Sequence, residues 1–300
     1  MHPALPRLTL LCIALSAATL SHAADKVVGP GEDADTSSRS VRVPGGVAAG
    51  VIDTGSGDVF LETGAVTRNI DTGSGQVELA AGARSGRIDT GSGSVRLGDN
   101  TQAGVIDTGS GDVDLGSGAH VAAVDTGSGG VRGGDRVLVD GPIDTGSGSV
   151  TLGAASTIRG NIDTGSGSVR LGSGSDVSGN IDTGSGDVQL EGTQVQGTVD
   201  TGSGNITLLD SRIGADLVTT SGRVELSGSS VVAGDLIVRK PKCWGLCWGN
   251  DQPTRVVIGA SASVLGEIRI EREAELWVHE QAHIGRVSGA PVKRYSGERP

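Results

Sequence analysis

A six-residue phrase, Ile-Asp-Thr-Gly-Ser-Gly, recurs through most of this chain at nearly constant spacing. Successive copies start 18 or 19 residues apart, and valine replaces the isoleucine in two of them. A fixed period of this length is typical of stacked repeats, in which each repeat buries its apolar side chains against its neighbours. The nine clear copies begin at Ile52, Ile70, Ile88, Ile106, Val124, Ile143, Ile162, Ile181 and Val199.

Apolar residues alternate within each repeat in the way that one face of a short strand requires. Ile52 and Thr54 share one parity, a Gly-Ser-Gly turn follows, and Val59 and Leu61 continue the alternation. Short strands joined by corners form the coil of a β-solenoid, in which like residues stack about 4.8 Å apart. We therefore predict an all-β, single-stranded β-solenoid of about 13 coils. The offsets do not fit the six-residue period of left-handed hexapeptide helices, so we expect a right-handed β-helix.

The first 23 residues have the pattern of a secretory signal peptide, with Arg7, an apolar stretch over residues 8–20 and Ser21-His22-Ala23. We expect cleavage after Ala23 and residence in the periplasm, or secretion to the surface, of a bacterium-like cell. The apolar stretch is too short to span a membrane, so no transmembrane segment is predicted. The predicted parts that follow are a linker at 24–33, the repeat solenoid at 34–238, an inserted loop at 239–255, further coils at 256–287 and a tail at 288–300.

An aspartate follows the first residue of every clear repeat, and the chain has a net charge of −11. An acidic rod argues against nucleic acid as a partner. If the isoleucine and threonine point inward, the aspartates form an outward ladder, for which two interpretations stay open. Each carboxylate could brace its own turn, or the ladder could hold Ca²⁺ or a glycan. Its members are Asp53, Asp71, Asp89, Asp107, Asp125, Asp144, Asp163, Asp182 and Asp200.

The inserted loop carries the chain's densest aromatic cluster beside two cysteines. In an oxidising compartment Cys243 and Cys247 are expected to form a disulfide. A zinc site would need further ligands, and the loop has no second cysteine pair. The loop could pack on the last coils or serve as an interaction platform, because aromatic residues beside cations are common at binding sites. The candidate interaction residues are Trp244, Trp248, Arg239, Lys240 and Lys242.

Two short motifs resemble parts of protease active sites, but their contexts do not fit. Asp-Thr-Gly-Ser occurs in aspartic proteases, where two such loops must face each other. Stacked copies would instead point in parallel. His279-Glu280-Gln281-Ala282-His283 matches a zinc-protease pattern that requires a helix, whereas the apolar residues around it keep the register of the coils. We therefore predict no enzyme activity, no catalytic residues and no cofactor.

The repeating Gly-x-Ile-x-Thr-x-x-Gly-x-Val-x-Leu pattern resembles bacterial adhesin-like β-solenoids, including autotransporter adhesin head domains. Val264-Leu265-Gly266-Glu267-Ile268 also resembles coils of bactofilins, which are polymer-forming cytoskeletal proteins. The resemblance implies a structural or adhesive solenoid. We thus expect a non-catalytic, envelope-associated role, with an envelope or surface partner or self-association through the solenoid ends. The alternative is a Ca²⁺- or glycan-binding module that uses the aspartate ladder.

Overall fold

The computed structural model describes residues 25–241 and 254–300, which form a β-solenoid of about 14 turns. All strand pairs between the described strands are parallel, and these residues contain no helix. The coils form three faces, which we name the Asp face, the leucine face and the third face. The prediction of an all-β solenoid is confirmed. The count exceeds the predicted 13 because short strands in the predicted linker and tail, Lys26–Val27 and Val292–Tyr295, extend the stack.

The Asp face contains the Ile-Asp-Thr strands, stacked in register. Its isoleucine and threonine side chains are buried and its aspartates lie outward, so the predicted alternation is confirmed. The strands of this face are Ala34–Thr36, Val51–Thr54, Asn69–Thr72, Ile88–Thr90, Gln102–Thr108, His120–Thr126, Ile143–Thr145, Ile162–Thr164, Ile181–Thr183, Val199–Thr201, Leu217–Thr219, Leu236–Val238, Ile268–Ile270 and Val287–Ser288.

The leucine face follows the Gly-Ser-Gly turn and is a single sheet of fifteen strands. Its valine and leucine side chains point inward, while the residue between them lies outward. The strands are Lys26–Val27, Val41–Val43, Val59–Leu61, Val77–Leu79, Val95–Leu97, Val113–Leu115, Val131–Gly133, Val150–Leu152, Val169–Leu171, Val188–Glu191, Ile206–Leu209, Arg223–Ser227, Thr254–Ile258, Ala274–His279 and Val292–Tyr295.

The third face is the narrowest, and its first coils are joined by isolated bridges between Ala48, Val66, Arg84 and Gln102. The strands Gln102–Thr108 and His120–Thr126 run continuously from this face onto the Asp face. The remaining strands are Leu138–Val139, Thr157–Ile158, Asp176–Val177, Gln194–Val195, Arg212–Ile213, Val231–Val232, Ser263–Val264 and His283–Ile284.

One continuous apolar core runs along the axis between the three faces. It consists of ladders of Ile, Val and Leu, and most of these side chains are completely buried. Each buried aliphatic side chain contributes about 1.5–3 kcal/mol of hydrophobic stabilisation. Ordering a coil of 18 or 19 residues costs roughly 1 kcal/mol or more per residue. A coil is therefore stable only between neighbours, which explains why the repeat continues for so long.

Candidate functional site: the aspartate column

The aspartates of the Asp face stack directly above one another, since each is the Cα partner of the aspartate one coil away. Asp35 also belongs to this column, because it pairs with Asp53. Its weaker repeat, Ala34-Asp35-Thr36, lacks the isoleucine that marks the clear copies. We call these ten residues the aspartate column: Asp35, Asp53, Asp71, Asp89, Asp107, Asp125, Asp144, Asp163, Asp182 and Asp200.

The turn that follows each aspartate is braced by threonine. Thr54 Oγ1 donates a hydrogen bond to the carbonyl oxygen of Gly57 at 2.7 Å, and Thr183 makes the same bond to Gly186 at 2.8 Å. The turn amides donate to the preceding coil, as Gly73 does to Thr54 O at 3.1 Å. Among the described residues, no column aspartate accepts a hydrogen bond from its own turn. Threonine therefore has the bracing role that one interpretation of the sequence gave to aspartate.

Other acidic and amide side chains brace the backbone, and they lie at the corners of the coil. Asp112 Oδ1 accepts a hydrogen bond from the amide of Gly130, one coil later, at 2.8 Å, and Asp187 accepts one from Asn205 at 2.7 Å. The bond from Gly130 is the main reason why the pKa of Asp112 is lowered. These corner residues were missed from the sequence, since their identity varies between repeats. The corner side chains, and not the column carboxylates, therefore hold the backbone of neighbouring coils together.

Two arginines neutralise parts of the aspartate column. Arg87 lies 2.8 Å from carboxylate oxygens of both Asp89 and Asp107. Arg239, two coils beyond Asp200 along the stack, reaches back to that carboxylate at 2.8 Å. Within the described part of the chain, no cation forms an ion pair with the four carboxylates between these arginines. We call these four the central carboxylates: Asp125, Asp144, Asp163 and Asp182.

The central carboxylates repel one another across the stack. Burial is the main cause that raises the pKa of Asp144, and the charge of Asp163 adds to it. The pKa values of Asp163 and Asp182 are raised in the same way, first by burial and then by the next aspartate. Two unit charges about 4.8 Å apart repel by roughly 1 kcal/mol in water. The folded chain therefore holds these three groups in a state that favours protons or other cations.

A shallow groove of about 650 Å³ follows the central carboxylates. Its wall is the aspartate column from Asp125 to Asp200, and its floor consists of the adjoining threonine and glycine backbone. Glycine is required on this floor, because a Cβ on Gly146 would collide with the carbonyl oxygen of Gly127 in the preceding coil. The close stacking of coils thus explains the glycines and leaves the groove open along its length.

The groove offers carboxylates in a row and no compact ligand set. In the described ranges, no group of three or more His, Cys, Asp or Glu side chains is arranged to hold a metal ion. A cation would therefore contact neighbouring carboxylates of successive coils. Binding of Ca²⁺ along the aspartate column stays a prediction, in which each ion lies between carboxylates of successive coils.

Neither protease-like motif forms an active-site geometry. The Asp-Thr-Gly-Ser copies are stacked in parallel register on one face, whereas the aspartic-protease geometry requires two such loops that face each other. His279 ends the strand Ala274–His279 and His283 begins the strand His283–Ile284, so they do not share a helix face. The ring of His279 packs edge-on against Tyr295, with 5.0 Å between ring centroids.

The predicted interaction loop lies largely outside the described residues. Cys243, Cys247, Trp244, Trp248 and Lys242 all fall within 242–253, so the disulfide and the platform stay predictions. The two described members contact the solenoid. Arg239 pairs with Asp200, and the amide of Lys240 donates to Glu271 at 3.4 Å.

Fold and site together define a β-solenoid protein with one acidic face. Residues 105–234 match the family model described as Toastrack DUF4097. This region includes the four central carboxylates and covers less than half of the chain. Searches of curated proteins and of solved structures give no match. The comparisons support the solenoid architecture and do not support the adhesin or bactofilin resemblance. In the described ranges, no apolar helix reaches the length needed to span a membrane.

Proposed function

We propose that this chain is a non-catalytic structural solenoid, exported to the periplasm or the outer surface and associated with the cell envelope. The observation that carries the proposal is the uninterrupted core, which uses nearly every inward position of the described coils for stacking. The corner carboxylates and the buried threonines also serve this stack. The signal-peptide pattern in residues 1–23 supports export.

The structural role is tested by complementation of a strain that lacks the gene. An envelope defect, such as increased detergent sensitivity, should be restored by the wild-type chain. It should also be restored by a chain that lacks residues 143–161, which removes one coil and keeps every face in register. Ile143→Asp should fail, because it breaks the stack. Loss of function on in-register removal of a coil from a chain that still folds would contradict the proposal.

Export is tested by fractionation of cells that produce the full chain. We expect a processed form that begins at Ala24 in the periplasm or the medium, identified by mass spectrometry. Leu15→Arg interrupts the apolar stretch and should retain the chain, unprocessed, in the cytoplasm. Cytoplasmic residence of the wild-type chain would contradict the proposal.

The groove beside the central carboxylates favours a second candidate function, the binding of cations such as Ca²⁺ or of a glycan. Three of these carboxylates have raised pKa values and no cation partner among the described residues. A ligand that binds only the folded chain raises the melting temperature. The matched control is the triple asparagine variant, which carries Asp144→Asn, Asp163→Asn and Asp182→Asn.

Millimolar CaCl₂ is compared with NaCl at equal ionic strength, since salt alone screens the same repulsion. A saturable, Ca²⁺-specific rise that the triple asparagine variant lacks would establish cation binding. Equal effects of the two salts would contradict specific Ca²⁺ binding, and the structural role would then be the remaining proposal. The complementation assay separates the two functions further, because the triple asparagine variant should restore the envelope if the role is structural.

A further inference from the structure

Each terminal coil of the described solenoid carries a basic residue at an inward position. At the first coil, Lys26 pairs with Val41, whose side chain is completely buried in the valine ladder of the leucine face. Side chains alternate along a strand, so Lys26 shares the inward direction of Val41. Its Nζ donates a hydrogen bond to the carbonyl oxygen of Asp33 at 3.3 Å and lies 4.0 Å from Glu32. The lysine stem thus crosses the end of the coil.

The last coil has an arginine at the corresponding register position, although this side chain is exposed whereas Lys26 is half-buried. Arg294 pairs with Val278, which is completely buried in the leucine ladder of the same face. Its guanidinium donates to the carbonyl oxygen of His279 at 3.3 Å. Nearby, Ile284, Val287 and Val292 are only partly buried, although they continue ladders that are fully buried elsewhere. This end therefore presents apolar side chains, free strand edges and one inward charge.

A free strand edge above an apolar core is a template for another coil. In an end-to-end joint between two copies, the leucine faces would continue, because every coil of this sheet repeats the same inward pattern. Lys26 would then lie in the ladder of Val292, and Arg294 in the ladder of Val28. Both charges would lose contact with water beside aliphatic side chains. Glu32 lies 4.0 Å from Lys26, whereas Arg294 has no ion pair among the described residues, so burial of Arg294 is the more unfavourable of the two.

We propose that Lys26 and Arg294 are end caps that prevent copies of this chain from stacking end to end. The caps limit the solenoid to one chain length, so its ends do not extend into a filament. The proposal is an alternative to the predicted self-association through the ends, which stays a prediction, and it does not depend on the groove or on the cellular role. An inward charge on a terminal strand is an established way in which sheet proteins avoid edge pairing.

The test uses the chain as secreted, with its N-terminus read by mass spectrometry. The double variant Lys26→Val with Arg294→Val should assemble with rising concentration into particles of two or more chain masses. Sedimentation velocity measures the mass, and small-angle scattering should show greater length at an unchanged cross-section. The wild-type chain should remain at one chain mass. Arg96→Val is the control for an added surface valine, because Arg96 lies outward on the same sheet in mid-stack, and it should also remain single.

Circular dichroism shows whether the double variant keeps its fold. If it loses its cooperative transition, Lys26→Met with Arg294→Met replaces it, because methionine keeps an unbranched stem over the core and removes the charge. Wild-type chains that already stack end to end would overturn the proposal. A folded, charge-free variant that stays at one chain mass at all concentrations would overturn it as well.

Discussion

Replacement of Ile143 by aspartate tests the assignment of inward and outward positions at the centre of the stack. Ile143 is completely buried, and its Cα partners are Val124 in one neighbouring coil and Ile162 in the other. The change removes an aliphatic side chain worth about 1.5–3 kcal/mol of burial. It also places a carboxyl group in a ladder whose members have no polar side-chain atoms, at a further cost of about 1–3 kcal/mol for an unpaired polar group even when it is protonated.

The expected loss is therefore about 2.5–6 kcal/mol, roughly half of the hydrophobic stabilisation from the four buried aliphatic side chains of this coil. Coils interact only with their neighbours, so the damage should divide the stack into two segments that unfold separately. Urea unfolding followed by circular dichroism should show a lower midpoint and a broader or split transition. Thermal unfolding should likewise give a lower midpoint for Ile143→Asp than for the wild type.

Asp144→Asn is the matched control, one residue away on the opposite side of the strand. It removes a charge from the aspartate column and should change stability by less than about 1 kcal/mol, in the stabilising direction. Equal losses from the two substitutions would refute the assignment of Ile143 to the core and Asp144 to the surface. A fully cooperative, undiminished transition in Ile143→Asp would refute the nearest-neighbour argument.

Three further outcomes are expected. The raised pKa values of the three aspartates replaced in the triple asparagine variant mean that protonation favours folding, so their stabilising contribution is present in acid and lost as pH rises through the folded-state pKa. The triple asparagine variant should therefore be more stable than the wild type, and the difference should be largest at pH 7. Urea titrations should show this difference shrinking toward about pH 4. A difference that grows in acid would contradict the assigned direction of the pKa shifts. Gly146→Ala should lower the stability by about 1–3 kcal/mol, because its Cβ would meet the backbone of the preceding coil. Ser147→Ala, at the exposed neighbouring position, should be nearly neutral. Equal melting temperatures of the two variants would argue against the close approach of the coils at Gly146. Arg87→Gln should cost about 1 kcal/mol or less at low ionic strength, and a deficit that persists in 1 M NaCl would show that more than charge is lost.

The repeat by itself determined the class of fold and the direction of most side chains. The 18- or 19-residue period requires stacked units, and the alternation of Ile52, Thr54, Val59 and Leu61 assigns the core on two faces. Identical residues at one offset must form a column in any such stack. The aspartate column could therefore be derived from spacing alone, and Asp35, 18 residues before Asp53 in the degenerate first copy, follows the same spacing.

The tertiary structure decided what depends on contacts between coils. Whether threonine or aspartate braces the turn depends on which side chain faces the Gly-Ser-Gly backbone, and the buried Thr54 does so. The pairing of Arg87 and Arg239 with column residues joins positions from different coils at offsets that no single repeat contains. The caps at Lys26 and Arg294 become visible only when the first and last strands are in register, because a repeat pattern describes the interior of a stack and carries no rule for its ends.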